Sequence, residues 1–267
     1  MMKNLIIGGS FGYNIEQIRN WVESINRTIP LEDADRAIVV GDTASDVVQW
    51  LESKHFTVIQ VDKSNLAPHV ARFVFIYDYL CSRYKSYKYV VTTDVRDDIF
   101  QSNPFEWLDN NLLPTKKLVA GSEGLLYKDE PWGNMNLYET YGQYVYDRFK
   151  DNEIFNVGVL GGTAEYIKDL VFNIVTNSVN RPVPIVDQAV FNVLSQTQPY
   201  KDIIQFTPHD STWACQLGTT ADPNKIEYFR TRLICAEPIY RDGVVYNSRN
   251  EMYCIVHQYD RVPAWKM

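Results

Sequence analysis

Short apolar runs alternate with longer stretches of helical hydrophobic spacing through the first half of the chain. The apolar runs predict strands at residues 4–7, 37–40, 55–61 and 87–92. Apolar residues that recur every three to four positions predict helices at residues 15–25, 45–54 and 67–84. Strands that alternate with helices of about ten or more residues imply βαβ crossovers. The pattern therefore predicts an α/β fold with a mostly parallel sheet.

The second half continues the alternation and then changes character. Strands are predicted at residues 117–122 and 154–160, and helices at 137–149, 164–176 and 187–195. Residues 123–134, rich in Gly, Trp, Tyr and acids, are predicted to form a loop of the kind that shapes a sugar pocket. After Tyr200 the pattern indicates short aromatic strands, including 203–206 and 252–257. Since no repeat, low-complexity segment or Pro-rich linker interrupts the chain, we expect one domain over residues 1–267.

The strand predicted at 87–92 runs directly into three acids, Asp94, Asp97 and Asp98. Acids at a strand end are costly unless something binds them, and a hard divalent cation shared with the phosphates of a ligand provides that compensation. Parallel sheets bind ligands at the carboxyl ends of their strands, where Gly8 to Ser10 also fall. The alternative is a solvated loop whose acids cap the next helix. The first interpretation indicates a nucleotide-diphosphate substrate.

Composition narrows the function classes. The chain has 267 residues, 45% of them hydrophobic, which is enough for a full core. A net charge of −7 disfavours nucleic acid and anionic membranes as partners. The four cysteines have neither CxxC spacing nor the density of a disulfide scaffold, so they indicate buried thiols in a reducing compartment. No apolar stretch reaches a signal-peptide or membrane-span length, so we expect a cytoplasmic protein without a membrane span.

Four separated segments resemble, in order and rough spacing, signature segments of the GT-A-fold glycosyltransferases. They are TTDVRDDIFQ (92–101), IFNVGVLGG (154–162), VDQAVFNVL (186–194) and IVHQYDR (255–261). The nearest likeness is to the glycogenin-like and galactosyltransferase-like retaining enzymes. The resemblance implies a single GT-A (Rossmann-like) domain with a mostly parallel central sheet, helices on both faces and a small antiparallel portion in the C-terminal half. It also implies a nucleotide-binding half to about residue 115 and an acceptor- and sugar-binding half beyond.

The resemblance implies a metal site formed by Asp94, Asp97 and His257. Asp94 resembles the first acid of the Asp-x-Asp motif of the family, but Arg96 makes this segment Asp-x-Arg-Asp and leaves Asp97 and Asp98 as alternatives for the second acid. Arg96 would pair with an acid or with a phosphate oxygen. His257 matches the late metal-binding histidine, although a lone histidine is more often a hydrogen-bonded core or surface residue. Because imidazole suits Mn²⁺ better than Mg²⁺, we expect Mn²⁺, with Mg²⁺ as the alternative.

Further residues are candidates for binding the donor. Arg261 and Lys266 fall where the family places a basic residue on the leaving diphosphate, with a frayed basic C-terminus as the alternative. Arg72 is another candidate for this electrostatic role. Gly8, Gly9 and Ser10 match the place of the nucleotide base and ribose. The run IIGGSFGYN lacks the Walker A ending and the GxGxxG fingerprint, which argues against ATP or NAD.

Two pairs of residues resemble the donor-sugar strand and the reaction centre of the family. Asn156 and Gly158 resemble the strand beneath the donor sugar, where glycine permits close backbone approach and an amide can bind sugar hydroxyls. Asp187 and Gln188 resemble the pair that contacts sugar hydroxyls. The alternatives are a buried strand with a packed glycine and an ordinary helix N-cap. The aromatic residues Tyr127, Trp132 and Trp213 are candidates for sugar stacking, and the alternative for them is core or surface packing.

Together these features predict a metal-dependent glycosyltransferase that moves a sugar from a nucleotide-diphosphate sugar, with a UDP-sugar favoured, to a saccharide or other hydroxyl acceptor. The likeness favours retention, whereas Asp187 acting as a general base would give inversion. A sugar-phosphate nucleotidyltransferase and a non-catalytic saccharide- or nucleotide-binding module are the alternatives. The segment GGSFGYN lacks the cation expected of the former. Polysaccharide biosynthesis is the setting suggested by analogy of fold.

Overall fold

The computed structural model describes residues 2–62 and 64–265. The strands in this part of the chain are β1 (Lys3–Phe11), β2 (Ala34–Gly41), β3 (Thr57–Val61), β4 (Tyr87–Thr93), β5 (Asp98–Phe100), β6 (Leu118–Leu126), β7 (Glu153–Thr163), β8 (Ile204–Thr207), β9 (Ala214–Gln216), β10 (Ile239–Arg241), β11 (Val244–Tyr246) and β12 (Ile255–His257). The helices are α1 (Ile15–Thr28), α2 (Ser45–Ser53), α3 (Pro68–Cys81), α4 (Pro104–Asn111), α5 (Pro131–Tyr141), α6 (Gln143–Phe149), α7 (Ala164–Ser178), α8 (Asp187–Ser195), α9 (Tyr200–Ile203), α10 (Leu217–Thr220) and α11 (Ile226–Phe229).

A seven-stranded mixed sheet forms the centre of the molecule. Its strand order is β3-β2-β1-β4-β7-β6-β8. Strands β3, β2, β1 and β4 are parallel, β7 is antiparallel to both of its neighbours, and β6 pairs with β8 in parallel. A three-stranded sheet of order β5-β12-β9 and the antiparallel hairpin β10-β11 complete the strands. All strands of the large sheet except β7 therefore end at one edge, where the crossovers leave room for a ligand.

Helices cover both faces of the large sheet, as the side-chain alternation in β1 illustrates. Leu5 and Ile7 belong to the core cluster that contains Phe73 of α3, whereas Ile6 belongs to the cluster that contains Trp21 of α1. Successive side chains of a strand point to opposite faces, so a strand that is apolar throughout is buried on both. The predicted fold class, a mostly parallel α/β sheet with helices on both faces and an antiparallel portion in the C-terminal half, is confirmed.

The loop predicted at residues 123–134 is wrong, and so is the single helix predicted at 137–149. Strand β6 continues to Leu126, and α5 begins at Pro131, where Glu130 accepts a hydrogen bond from a backbone N–H of the first turn. Proline suits the first turn of a helix because its missing N–H would have no partner there. Gly142, at φ +76°, ends α5 and separates it from α6. Within the described residues, no helix combines the length and apolar character that crossing a bilayer requires.

Candidate active site

Asp94, Asp97 and His257 come together at the carboxyl edge of the large sheet. Each offers one ligand atom, and these atoms all lie within 4.8 Å of one another. Asp94 directly follows β4, Asp97 directly precedes β5, and His257 ends β12, which pairs antiparallel with β5. The pairing of these two short strands brings the distant histidine to the acids. Asp97 and His257 are buried, and Asp94 is partly exposed at the mouth of the site.

Gly158 of β7 forms the floor of this cluster. Its carbonyl accepts a hydrogen bond from the Asp94 N–H at 2.8 Å, which fixes the start of the acidic segment against β7. A Cβ atom at position 158 would lie 2.9 Å from Asp94 Oδ2, 2.9 Å from Asn156 Oδ1 and 3.0 Å from His257 Nε2. These distances are shorter than ordinary contacts between non-bonded heavy atoms, which are about 3.5–4.0 Å. The absence of a side chain at Gly158 therefore leaves open the space that Asp94 Oδ2 and His257 Nε2 face.

The chemistry of these residues fits a divalent cation. Two carboxylates and an imidazole form a mixed oxygen and nitrogen set of the kind that binds first-row divalent metals. Nδ1 of His257 is hydrogen-bonded to Gln216 Oε1 at 2.6 Å, while Nε2 lies 3.6 Å from Asp94 Oδ2. The neighbouring Asp98 is fully buried, its carboxylate oxygens have no hydrogen-bond partner among the described residues, and burial raises its pKa well above the usual range. Asp97, rather than Asp98, is the acid that joins the cluster.

A buried arginine connects this cluster to the start of α8. Arg72 of α3 forms ion pairs with Asp94 and, at 3.1 Å, with Asp187. Burial lowers the pKa of Arg72, an effect that the Asp187 carboxylate opposes. A Cβ atom at Gly9 would lie 2.8 Å from the Arg72 Cβ, so glycine in β1 lets α3 approach closely enough for the guanidinium to reach both acids. The Arg72 guanidinium thus holds Asp94 and Asp187 at a fixed separation.

Glu123 is a buried residue of β6 that we did not predict as a site residue. Its side chain forms hydrogen bonds with two predicted site residues, Asn156 and Gln188. Its Oε1 accepts hydrogen bonds from Asn156 Nδ2 at 2.8 Å and from Gln188 Nε2 at 2.6 Å. Asn156 Oδ1 accepts the Gly158 N–H, and Gln188 Oε1 accepts the Val157 N–H. Burial raises the pKa of Glu123, and the bond from Asn156 opposes that rise. The signal in the sequence was an acid within the otherwise apolar and small run LVAGSEGLL.

The predicted nucleotide residues Gly8, Gly9 and Ser10 lie inside β1, which continues to Phe11 instead of ending at residue 7. Gly8 packs against Val95 and Trp21, as Gly9 packs against α3. The Ser10 hydroxyl is buried and has no partner among the described residues. The strand is longer than predicted because its parallel pairing with β2 continues to the end of that strand.

Two basic residues near the acids belong to a short 3₁₀ turn or contact it: Arg261 lies in the turn Tyr259–Arg261, and Arg96 contacts Asp260 of the same turn. Arg96 lies 3.3 Å from Asp260 and 3.6 Å from Asp97, so it pairs with acids, which is one of the two alternatives left open by the sequence. Arg261, in the turn Tyr259–Arg261, is 41% exposed and its Nε lies 3.7 Å from Asp260. Lys266 lies outside the described residues.

The aromatic candidates separate into core and surface. Trp213 and Tyr127 are fully buried, so packing explains them. Trp132 is 45% exposed on α5, where Met135 and Tyr138 are exposed as well. Residues spaced by three positions are neighbours on a helix surface, so each of these exposed side chains lies next to the following one along α5.

Two cavities open at the same edge of the large sheet as the cluster. The first, of about 420 Å³, lies at the ends of β2 and β3 and is lined by Val40, Asp42, Thr43, Ala44, Val48, Gln60 and Val61. The second, of about 520 Å³, lies beyond the end of β8 and is lined by Glu153, Pro208, His209, Asp210, Leu233, Ile234, Cys235 and Ala236. The cluster at the end of β4 lies between them in strand order. The edge therefore offers room on both sides of the three candidate ligands.

No protein-family model matches the chain, and no curated protein matches it. Solved structures do match the chain. The match to the apo structure of mouse xyloside xylosyltransferase 1 has 15% sequence identity, covers 98% of both chains and has a TM-score of 0.55. The apo structure of WbbM, a bifunctional glycosyltransferase, is 11% identical with a TM-score of 0.59. The glycosyltransferase GlyE of Streptococcus pneumoniae TIGR4 is 16% identical with a TM-score of 0.55.

This chain covers 46% of the WbbM chain and 57% of the GlyE chain, whereas 97% and 100% of its own residues are matched. At identities this low, the likeness concerns the fold rather than the activity. The resemblance inferred from the four sequence segments is confirmed at that level: the chain has a GT-A-like glycosyltransferase fold.

Proposed function

We propose that this protein is a divalent-metal-dependent glycosyltransferase that moves a sugar from a nucleoside diphosphate donor to a hydroxyl acceptor. The observation that carries the proposal is the meeting of Asp94, Asp97 and His257 over the open floor at Gly158. It occurs at the carboxyl edge of a fold shared with three structures described as glycosyltransferases. Fold alone does not imply function, so the proposal also depends on the three candidate metal ligands.

The three ligands would hold Mn²⁺, or Mg²⁺ as the alternative, because a set that contains imidazole suits manganese better. When bound, such an ion supplies positive charge that stabilises the diphosphate leaving group. Arg261 is exposed next to Asp260, which Arg96 links to Asp97, and it would add a second positive charge to the same group. Lys266 stays a candidate for this role from its position in the sequence.

The cavity at the ends of β2 and β3 is the proposed place of the nucleoside. It adjoins the end of β1, where Gly8 to Ser10 were predicted to bind the base and ribose, and β1 lies between β2 and β4. Asp42 and Thr43 line it and offer oxygen acceptors for ribose hydroxyls. This placement leaves the diphosphate near the end of β4 and the sugar toward the C-terminal half of the chain.

The sugar and the acceptor would lie between Asn156, Asp187 and Gln188. The amides of Asn156 and Gln188 each use one N–H on Glu123, which leaves a second N–H of each amide for a sugar hydroxyl. Asp187 is buried, and its Oδ2 is paired with the Arg72 guanidinium at 3.1 Å. That pairing disfavours Asp187 as the general base of an inverting reaction and supports retention of configuration.

Ligand-dependent unfolding tests the proposal. The purified chain is melted with UDP-, GDP-, dTDP- and CMP-sugars, with and without Mn²⁺, because a ligand bound by the native state alone raises the melting temperature. At 100 times the dissociation constant the stabilisation is about 2.7 kcal/mol. For proteins near this size this corresponds to a rise of roughly 5–10 °C.

We expect a manganese-dependent rise with one nucleoside diphosphate class, UDP-sugars being favoured. CMP-sugars, which lack the diphosphate, serve as the matched comparison. The absence of a shift with every donor would contradict the proposal and support a non-catalytic module of the same fold. With the donor identified, the anomeric proton signals of the product in NMR decide between retention and inversion.

A further inference from the structure

We propose that Gln216 is a positioning residue that sets the tautomer of the metal-binding imidazole of His257. The inference rests on the proposed metal site and adds a residue that the sequence patterns did not single out. Strand β9 lies parallel to β12, and the register places Gln216 directly beside His257. Gln216 Oε1 lies 2.6 Å from His257 Nδ1, and both side chains are buried. Two buried polar groups at this distance form a hydrogen bond.

The chemistry of the pair decides where the proton of the imidazole resides. An amide oxygen can only accept, so Nδ1 is the ring nitrogen that carries the hydrogen in this bond. Nε2 then has a free lone pair. Nε2 is also the atom that faces Asp94 Oδ2 at 3.6 Å and the open floor at Gly158. Metal ligation by histidine requires that lone pair, and the hydrogen bond on the other nitrogen orients the ring.

Gln216 is itself held in place. Its backbone N–H donates to Nε2 of His209 at 3.2 Å. Burial lowers the pKa of His209 to about 4, so this ring is neutral at physiological pH and its Nε2 is free to accept. A continuous series of buried hydrogen bonds thus runs from His209 through Gln216 to His257.

The test compares Gln216→Leu, which removes the acceptor at similar volume, with Gln216→Glu, which presents only acceptor oxygens. The dissociation constant for Mn²⁺ is measured by electron paramagnetic resonance on the full chain without donor. Loss of a hydrogen bond that orients a metal ligand typically weakens metal binding by about 10–100-fold, so we expect that loss for Gln216→Leu. Gln216→Glu should bind Mn²⁺ as tightly as the wild type or more tightly.

Thr220→Val is the matched control. It removes a buried hydrogen bond to the Gln216 backbone without touching the imidazole, so it should lower the melting temperature and retain wild-type Mn²⁺ affinity. Equal weakening by Gln216→Leu and Thr220→Val would reduce Gln216 to a structural role and overturn the inference. So would weakened binding by Gln216→Glu, a result that decides the matter even if Gln216→Leu does not fold.

The failure of the inference and the failure of the proposed function give different results. If the wild type does not bind Mn²⁺, the proposed metal site is wrong and the inference falls with it. If the wild type binds Mn²⁺ and Gln216→Leu binds it equally well, the metal site stands and only the role of Gln216 is wrong.

Discussion

Substitution of Gly158 by alanine would place one methyl group at the centre of the proposed metal site. The added Cβ would lie at 2.9–3.0 Å from Asp94 Oδ2, Asn156 Oδ1 and His257 Nε2, all of them side-chain atoms. Ordinary contacts between non-bonded heavy atoms are about 3.5–4.0 Å. The two candidate ligand atoms must therefore retreat by about 0.5 Å or more to relieve the contacts.

That displacement exceeds what a metal site tolerates, since its ligand distances must hold within about 0.2 Å. We expect Mn²⁺ affinity to fall by about 10–100-fold, the range seen when the support of a metal ligand is lost. This corresponds to about 1.4–2.8 kcal/mol. Insertion of a methyl group into a packed interior also costs about 1–3 kcal/mol of folding stability. At roughly 2–4 °C per kcal/mol, the melting temperature should fall measurably while the fold persists.

Gly161→Ala is the control, because it makes the same change on the same strand with contacts of similar closeness. Its Cβ would lie 2.8 Å from two ring atoms of the buried Trp213 rather than from site atoms. Titration calorimetry with Mn²⁺ and thermal melting are compared for the two variants. Gly161→Ala should lose stability and keep its affinity. Wild-type affinity in Gly158→Ala, or an equal loss in both variants, would refute the reasoning.

The remaining predictions concern ligands, charge and leaving group. Asp94→Asn and His257→Ala should each abolish manganese-dependent donor binding in calorimetry while the circular dichroism spectrum stays native, since each removes one ligand of the proposed ion. Because burial raises the pKa of Glu123 above its ordinary value of 4.5, the native state holds that proton more tightly, and the wild type should lose stability as pH rises from 4.5 through the folded-state pKa. Glu123→Gln keeps an acceptor oxygen for both amides and carries no charge. In urea unfolding, its stability relative to wild type should therefore increase as pH rises above 4.5, in total by about 1.4 kcal/mol for each unit by which the pKa of Glu123 is raised. Arg261→Ala should lower kcat more than it raises KM in a donor turnover assay, because its charge acts on the departing diphosphate.

Each of these outcomes has a contrary result. Normal manganese-dependent donor binding by either ligand variant would show that the metal-site assignment is wrong. A stability difference between Glu123→Gln and wild type that stays constant with pH would mean that Glu123 has an ordinary pKa. A rise in KM at unchanged kcat in Arg261→Ala would place that side chain in ground-state binding instead of leaving-group stabilisation.

Local patterns were sufficient for the fold class and for the position of the acids. Apolar runs bounded by glycine and helices of regular hydrophobic spacing identify βαβ units, because burial on both faces of a sheet leaves that periodicity in the sequence. Asp94 could be placed at the carboxyl edge since it follows such a strand. The ordered segments also indicated His257 as a partner for Asp94, and the structure brings the two together.

Only the tertiary structure identified the side chains that hold the site. Gln216 and His257 lie on three-residue strands whose pairing joins distant parts of the chain, and strands this short leave no periodic signal. Arg72 reaches Asp94 and Asp187 because Gly9 lets its helix approach the sheet, a contact that no local pattern encodes. Glu123 is visible in the sequence only as an acid in an apolar strand. Hydrophobic periodicity records which face of an element is buried, whereas the partners of a buried polar group depend on how distant elements pack.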